Sequence, residues 1–234
     1  MTKRVIVFDL DGTLTDPRPG IVGSMRFALD QLNISCPDDD VLASYIGPPL
    51  RGTFATLLET SDIGRIEEAI QFYRQRFAGT GLYENRVYDG VEVMLERAGQ
   101  AASAIYVATS KPRVYAERIV NYFGLDRHLS KVYGSELDGR WDNKAELLAH
   151  LLATERVGAH SAVMIGDRAD DIVAAKANGV VSTGVLWGYG TADELRDAGA
   201  DTLCATPQEL GRRFSTMTQS NSAAVGAKAV TGDK

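Results

Sequence analysis

Buried strands and one-sided helices alternate along most of the chain. Residues 5–8 form a continuous run of apolar, mostly β-branched residues, and comparable runs occur at residues 104–108, 161–165 and 180–187. Runs of this kind predict strands that are covered on both faces, as in a parallel sheet. Between them, apolar residues recur at helical spacing, for example from Val91 to Ala98. The pattern predicts an α/β fold with a Rossmann-like, three-layer core around a parallel sheet.

The segment from residue 16 to residue 83 interrupts this alternation, because it contains helical patterns and no strand pattern. Its apolar positions follow helical spacing from Ile21 to Leu32 and again from Ile66 to Phe77. We therefore expect an α-helical cap at residues 16–83, inserted after the first strand, and a core made of residues 1–15 and 84–214. Residues 215–234 are rich in small and polar residues, which predicts a disordered tail.

The formal net charge of -6 over 234 residues makes some partners unfavourable. An acidic chain gives no electrostatic reason to bind a nucleic-acid polymer or an anionic membrane. The apolar stretch near the N-terminus is too short for a signal peptide or a membrane span, so we expect a cytoplasmic protein. Cys36 and Cys204 lack a metal-binding spacing and are expected to be reduced thiols. The oligomeric state, monomer or dimer, stays open.

Acidic residues follow two of the predicted strands. Asp9 and Asp11 come directly after the first strand, and Asp167 follows a later one. Because the carboxyl ends of parallel strands meet at one edge of the sheet, these carboxylates should converge there. Converging acids repel one another unless a cation lies between them, and Mg²⁺ prefers oxygen ligands. Asp170 and Asp171 begin the next helix. An acidic residue at this position can bind a metal ion, or it can do no more than cap the N-terminus of the helix.

Hydroxyl and ammonium groups lie at further strand ends. Thr109 and Ser110 follow the strand at residues 104–108, where they can hold a phosphate oxygen or cap a helix. Lys144 opens a helix, which is an unfavourable place for a cation unless an anion is nearby. Lys111 competes with Lys144 for the same role, and spacing alone does not separate the two lysines.

With these residues in view, the chain resembles the haloacid dehalogenase-like hydrolase superfamily over about residues 3–214. Its four motifs occur in order, as Asp9-x-Asp11-x-Thr13, Thr109, Lys144, and Gly166-Asp167 with Asp171. The inserted helices resemble the small helical cap of that superfamily. Residues 88–91 and 185–190 are similar to its phosphoglycolate phosphatase and 5'-nucleotidase-like branch.

The resemblance implies a role for each motif residue. Asp9 would be the nucleophile that forms an aspartyl-phosphate, and Asp11 would be the general acid and then the general base. Mg²⁺ would be bound by the carboxylates of Asp9 and Asp167 and by the backbone carbonyl of Asp11. Asp171 would support the ion without being a principal ligand. The phosphoryl oxygens would be bound by Thr109, Ser110 and Lys144.

The implied function is a Mg²⁺-dependent phosphomonoesterase acting on a small phosphorylated metabolite, with a nucleoside 5'-monophosphate favoured over 2-phosphoglycolate. This order depends on the branch resemblance and on four aromatic residues near predicted loops that could stack on a base or simply pack: Tyr45, Tyr83, Trp187 and Tyr189. Arg51 and Arg18 are candidates for binding the polar part of the leaving group, or are solvated surface residues. A phosphosugar mutase and a non-catalytic protein of the same fold are the alternatives.

Overall fold

Eight strands are present in the computed structural model, which describes residues 4–216. They are β1 (Arg4–Phe8), β2 (Thr15–Asp16), β3 (Arg86–Val87), β4 (Ala102–Pro112), β5 (Lys131–Ser135), β6 (Ala162–Gly166), β7 (Val181–Val185) and β8 (Thr202–Cys204). Six of them form a sheet in the order β5-β4-β1-β6-β7-β8, and every neighbouring pair is parallel. Strand β1 lies inside this sheet, between β4 and β6. The residues that follow β1 therefore emerge at the centre of the carboxyl edge.

The helices fall into two groups. The cap helices, between β2 and β3, are α1 (Arg18–Gln31), α2 (Asp39–Ala43), α3 (Leu50–Leu57) and α4 (Ile63–Arg76), which continues into a π-helical turn (Phe77–Gly81). The core helices are α5 (Val91–Ala101), α6 (Arg113–Tyr122), α7 (Lys144–Thr154), α8 (Ala169–Ala177), α9 (Ala192–Asp197) and α10 (residues 207–216). Within the part of the chain described, no helix is long and apolar enough to cross a membrane.

Alternate residues of β1 face opposite layers of helices, and this explains the continuous apolar run. Val5 and Val7 pack with residues of α7 and α8, whereas Ile6 and Phe8 pack with residues of α5, α6 and α10. The ring of Phe8 meets that of Phe214 on α10 edge-on, with 6.4 Å between centroids. A strand buried on both faces has no polar side to alternate with. The predicted three-layer α/β core with an inserted helical cap is confirmed.

The cap packs over the carboxyl edge of the sheet. Its own core contains Phe54, Tyr73 and Phe77, and the rings of Tyr73 and Phe77 stack at 5.2 Å between centroids. Phe77 also meets Tyr115 of α6 edge-on at 5.6 Å, so apolar packing continues from the cap into the core. The chain passes from core to cap through β2 and returns to the core through β3. These two strands pair as an antiparallel ribbon.

Short strands are the features that the sequence patterns did not predict. Strands β2 and β3 have two residues each and β8 has three, and such lengths show no period of two. Ser215 and Thr216, assigned to the tail from composition, continue α10. The rest of the predicted tail, residues 217–234, lies outside the described residues. The proposed boundaries of core and cap stay a prediction.

Candidate active site

The turn after β1 carries the two carboxylates that the sequence singled out. Leu10 O accepts hydrogen bonds from the N–H groups of Leu14 and Thr15, at 2.9 and 3.0 Å, so the chain folds back immediately after the strand. Asp9 is 2% exposed and Asp11 7% exposed. Two carboxylates buried to this degree require compensating cations or hydrogen bonds.

Lys144 compensates the charge of Asp9. Its Nζ lies 3.0 Å from Asp9 Oδ1 and 2.5 Å from Asp171 Oδ1, and the lysine is itself buried. Burial alone would lower the pKa of Lys144, but the charges of Asp171 and Asp9 outweigh burial and raise it. The anions explain why a lysine is tolerated at the first position of α7, where the helix dipole disfavours a cation.

Lys111 compensates the charge of Asp11. Its Nζ lies 2.8 Å from Asp11 Oδ2 and 4.4 Å from the ring centroid of Phe77 in the cap. Burial raises the pKa of Asp11 above its ordinary value, although Lys111 opposes that shift. The structure thus separates the two lysines that spacing could not, because each pairs with a different carboxylate.

Three carboxylates converge beside Lys144. Oxygens of Asp9, Asp167 and Asp171 all lie within 4.8 Å of one another. Burial and the nearby charge of Asp9 raise the pKa of Asp167 to about 8, and burial raises that of Asp171 to about 6. In addition, Asp9 Oδ1 and Asp11 Oδ1 are buried without a hydrogen-bond partner, since the contact of Asp9 Oδ1 with Lys144 is an ion pair without hydrogen-bond geometry. Buried, mutually repelling oxygen donors fit a hard divalent cation, so this group could hold a metal ion.

Asp167 is held in place by the two loops beside it. Thr13 Oγ1 donates to Asp167 Oδ1 at 3.0 Å, and the Tyr189 N–H donates to Oδ2 at 2.8 Å. Gly12 has φ of +83°, and a Cβ at this residue would lie 2.2 Å from Asp167 Oδ2. Only glycine therefore permits the close approach of the β1 turn to Asp167.

Asp171 lies behind the other two carboxylates. Its Oδ1 is paired with Lys144, and its Oδ2 accepts a hydrogen bond from the Arg168 N–H at 3.0 Å. Both oxygens therefore have a protein donor, and one of them also closes the first turn of α8. This placement accords with a supporting role, and its part in metal binding stays a prediction.

Thr109 and Ser110 lie within β4, because this strand continues to Pro112, beyond the end predicted at residue 108. Thr109 is buried, and its Oγ1 accepts a hydrogen bond from the Lys111 N–H at 3.3 Å. Ser110 lines the pocket beside Asp11. Both residues lie near the carboxyl edge of the sheet, where Asp9 and Asp11 also lie. Their proposed contacts with phosphate stay predictions.

A pocket between cap and core adjoins Asp11. It spans about 460 Å³ including its open mouth. Most of its wall is apolar or aromatic and includes Met25, Tyr45, Pro48, Tyr73, Phe77 and Tyr115. Lys111 is the only basic side chain that lines it among the described residues. Tyr73, Phe77 and Tyr115 were not predicted as pocket residues, because a helical repeat such as Tyr73-Phe77 signals burial without saying what it is buried against.

The predicted arginines are engaged elsewhere. Arg51 Nε lies 2.7 Å from Glu67 Oε1 and its Nη1 lies 2.8 Å from Asp142 Oδ2, and Arg51 does not line the pocket beside Asp11. Arg18 forms an ion pair with Asp40 at the surface. Direct binding of substrate by Arg51 stays a prediction, whereas its observed contact joins α3 of the cap to the loop before Lys144.

Only one of the four predicted aromatic residues lines this pocket. Tyr45 does so. Tyr83 is 40% exposed and packs on Tyr122, with 4.7 Å between ring centroids. Trp187 Nε1 donates to Thr13 O at 2.9 Å, and the Tyr189 hydroxyl donates to Asp16. Trp187 and Tyr189 therefore support the β1 turn and the start of the cap.

The fold and the site define a capped α/β hydrolase with an aspartate-centred site at the carboxyl edge of a parallel sheet. The chain belongs to the haloacid dehalogenase-like hydrolase family, which matches residues 6–185. The resemblance seen in the four sequence motifs is confirmed.

Several known proteins are similar over most of the chain. A 5'-nucleotidase of Pseudomonas aeruginosa is 49% identical over 86% of this chain and 90% of its own length. Tyrosine-protein kinase PtkA of Mycobacterium tuberculosis is 38% identical over 89% of this chain and 72% of its own length. A phosphoglycolate phosphatase of Xanthomonas campestris is 30% identical over 88% of this chain and 94% of its own length. Among solved structures, a predicted phosphatase from Clostridium acetobutylicum superposes with a TM-score of 0.87 at 34% identity, covering 92% of this chain and 99% of that one.

Proposed function

We propose that the chain is a Mg²⁺-dependent phosphomonoesterase that accepts a phosphoryl group on Asp9 and hydrolyses the resulting aspartyl-phosphate. The observation that carries this proposal is the pairing of two buried carboxylates with two buried lysines: Asp9 with Lys144 at 3.0 Å and Asp11 with Lys111 at 2.8 Å. The family and the relative named 5'-nucleotidase support the same reaction class.

Asp9 is the proposed nucleophile. An oxygen of its carboxylate forms a bond to phosphorus as the bond from phosphorus to the leaving oxygen breaks. The ammonium group of Lys144, 3.0 Å from Asp9 Oδ1, faces the nucleophile and is offered to the phosphoryl oxygens. Thr109 and Ser110, in the C-terminal part of β4, are the proposed partners of the remaining oxygens.

Asp11 is the proposed proton carrier. The leaving oxygen takes a proton from Asp11, and Asp11 then takes one from the water that attacks the aspartyl-phosphate. Burial supports the protonated form by raising the pKa of Asp11, and Lys111 favours the ionised form. This balance suits a group that must be acid in one step and base in the next.

Asp9, Asp167 and the backbone carbonyl of Asp11 are the proposed ligands of Mg²⁺, and Asp171 supports them. When bound, the ion would neutralise charge on the phosphoryl oxygens and on the carboxylates around them. Thr13 and the Tyr189 N–H would keep Asp167 in position, as they do in the structure.

A nucleoside 5'-monophosphate is the favoured substrate. The apolar and aromatic wall of the pocket suits a leaving group with a flat, weakly hydrated face, such as a nucleoside. The second candidate is 2-phosphoglycolate, because the ammonium group of Lys111 could pair with the carboxylate of glycolate. The relative named phosphoglycolate phosphatase favours this alternative. Both candidates are small cytoplasmic metabolites, and no nucleic-acid polymer or membrane is proposed as a partner.

The first experiment measures phosphate release from nucleoside 5'-monophosphates, 2-phosphoglycolate and sugar phosphates in the presence of Mg²⁺. Asp9→Asn is the matched blank, since the amide keeps the shape of the side chain and removes the nucleophile. We expect release from nucleotides, no release with Asp9→Asn, and reversible loss of activity in EDTA. Normal activity of Asp9→Asn would remove the nucleophile assignment, and indifference to EDTA and Mg²⁺ would remove the metal assignment.

Two further arms separate the remaining functions. Interconversion of sugar phosphates without release of phosphate would identify a phosphosugar mutase. Transfer from ATP to a tyrosine-containing protein would identify a kinase, the activity named for a relative with 38% identity. Absence of every activity would favour a non-catalytic role.

A further inference from the structure

Arg168 connects the loop that carries Asp167 to the cap. It follows Asp167 in the chain, and its guanidinium crosses to the cap, where Nη1 donates to Ser44 O at 3.2 Å and to Ile46 O at 2.5 Å. These two carbonyls belong to the turn between α2 and α3. The side chain of Arg168 is 18% exposed, so the charged group has left most of its water for these contacts.

The cap turn that Arg168 holds is a wall of the pocket. Residues 45–48 all line the pocket beside Asp11. Gly47 in this turn has φ of +113°, and a Cβ there would lie 2.9 Å from Arg168 Cγ. The turn therefore lies directly on the stem of the arginine as well as on its guanidinium, and a residue with a side chain at position 47 would push the two apart.

Arg168 is fixed from the core side as well. Its Nε donates to Glu194 Oε1 at 3.0 Å, and the same oxygen accepts from the Ala169 N–H at 2.9 Å. Its own N–H donates to Asp171 Oδ2. The backbone N–H and the Nε of Arg168 are thus both fixed by hydrogen bonds to the core. The guanidinium is therefore a rigid donor, and the cap turn is positioned against it.

Other arginines among the described residues also cross between cap and core, but Arg51, Arg74 and Arg118 do not join the acidic edge to the pocket wall. Arg51 reaches Asp142, Arg74 donates to Leu137 O at 3.0 Å, and Arg118 donates to Ala78 O at 3.0 Å. Arg168 differs because one end is adjacent in sequence to a proposed metal ligand and the other end supports residues that face the leaving group.

We infer that Arg168 is a positioning residue that sets the cap turn of residues 44–48 over the acidic edge and thereby determines how tightly the enzyme holds a large leaving group. The inference rests on the proposed phosphomonoesterase function and adds a residue outside the motifs to it. Arg168 does not touch the reacting atoms, so its loss should act on binding of the leaving group more than on the chemical step.

The kinetic test compares Arg168→Ala and Arg168→Lys with the wild type. Arg196→Ala is the matched control, because within the described part of the chain Arg196 pairs with exposed Asp193 of α9 and lies outside the pocket wall. For a nucleoside 5'-monophosphate we expect Arg168→Ala to raise KM about tenfold or more with kcat changed less than about threefold. For acetyl phosphate, whose leaving group is too small to reach the wall, KM should change much less. Arg168→Lys should recover part of the loss, since lysine can donate to one carbonyl.

A second readout does not require activity. Amide hydrogen exchange of residues 44–47 should be about tenfold faster in Arg168→Ala, while Arg196→Ala leaves it unchanged. Should Arg168→Ala fold poorly, Glu194→Gln weakens the support of Arg168 and should change exchange in the same direction. Unchanged exchange in both variants, or an equal rise of KM for both substrates, would overturn the inference. If no phosphate is released even by the wild type, the proposed function fails, and exchange alone then decides whether Arg168 positions the turn.

Discussion

Lys111 Nζ lies 2.8 Å from Asp11 Oδ2, whereas Lys144 pairs with Asp9 and Asp171 instead. Each of the two carboxylates after β1 therefore has a lysine of its own. The lysine of Asp9 belongs to the core and to the acidic cluster. The lysine of Asp11 also contacts the ring of Phe77, so it lies between the proposed proton carrier and the cap. This separation predicts different kinetic effects for the two lysines.

Lys144→Met should lower kcat/KM by at least about a hundredfold, because it removes the cation beside both the nucleophile and the transferred group. Lys111→Met should have a smaller effect, about tenfold, because Asp11 can hold a proton when its partner is lost. Steady-state kinetics of both variants measure the difference. Lys176→Met, a surface lysine that donates to Ala198 O, is the control. A larger loss for Lys111→Met would reverse the assigned roles.

Thr13→Val should weaken metal binding while keeping the shape of the β1 turn. The variant loses the hydroxyl that donates to Asp167 Oδ1 at 3.0 Å, and groups that orient metal ligands typically account for about 10- to 100-fold in affinity. The Mg²⁺ concentration that gives half-maximal activity should rise by that factor. Thr183→Val, which removes a buried hydroxyl paired with Thr202 at 3.0 Å, should leave it unchanged. An equal Mg²⁺ requirement in wild type and Thr13→Val would count against Asp167 as a ligand.

Gly12→Ala should damage both activity and stability. The residue has φ of +83°, where a Cβ is strained, and that Cβ would lie 2.2 Å from Asp167 Oδ2. We expect a loss of stability of about 1–3 kcal/mol and a large loss of kcat, measured by thermal unfolding and kinetics. Gly52→Ala in α3 has no atom within 4 Å of its added methyl group and should be neutral or slightly stabilising. Full activity of Gly12→Ala would show that the β1 turn tolerates displacement from Asp167.

The positions of Asp9 and Asp167 were predictable because each follows a strand that the sequence shows as an apolar run. Asp9 directly follows β1 and Asp167 directly follows β6. The two strands are neighbours in the sheet, so the convergence of the two residues follows from parallel strand geometry. The partner of Lys111 was not predictable. It depends on the register of β1 against β4, in which Phe8 pairs with Val107, and register is set by contacts between distant segments.

The pocket wall could not be predicted for a related reason. Periodicity showed that Tyr73 and Phe77 are buried, but Tyr115 of α6 is what Phe77 meets. Likewise, the sequence around Arg168 contains nothing that indicates the carbonyls of the cap turn. Contacts between cap and core depend on how the cap helices dock on the sheet and its helices, and the local sequence pattern of either part carries little information about that docking.

The stability of the metal-free protein should fall as pH rises from about 4 to about 8, and Asp167 should account for part of that fall. Burial and the charge of Asp9 raise its pKa from 3.8 to about 8 in the folded protein. Within that window the folded state keeps a proton that the unfolded chain has released, so raising the pH favours unfolding. Below about pH 4 both states are protonated, and above about pH 8 the full penalty of the buried charge applies.

Thermal unfolding in EDTA between pH 5 and pH 9 measures the effect. Asp167→Asn cannot ionise and should flatten the profile, becoming more stable than the wild type at pH 8. The expected gain, on the order of a few kcal/mol, follows from the size of the pKa shift. Parallel profiles for wild type and Asp167→Asn would mean that Asp167 is ionised in the folded protein without a cation, and the argument for a metal ion from mutual repulsion would lose its basis.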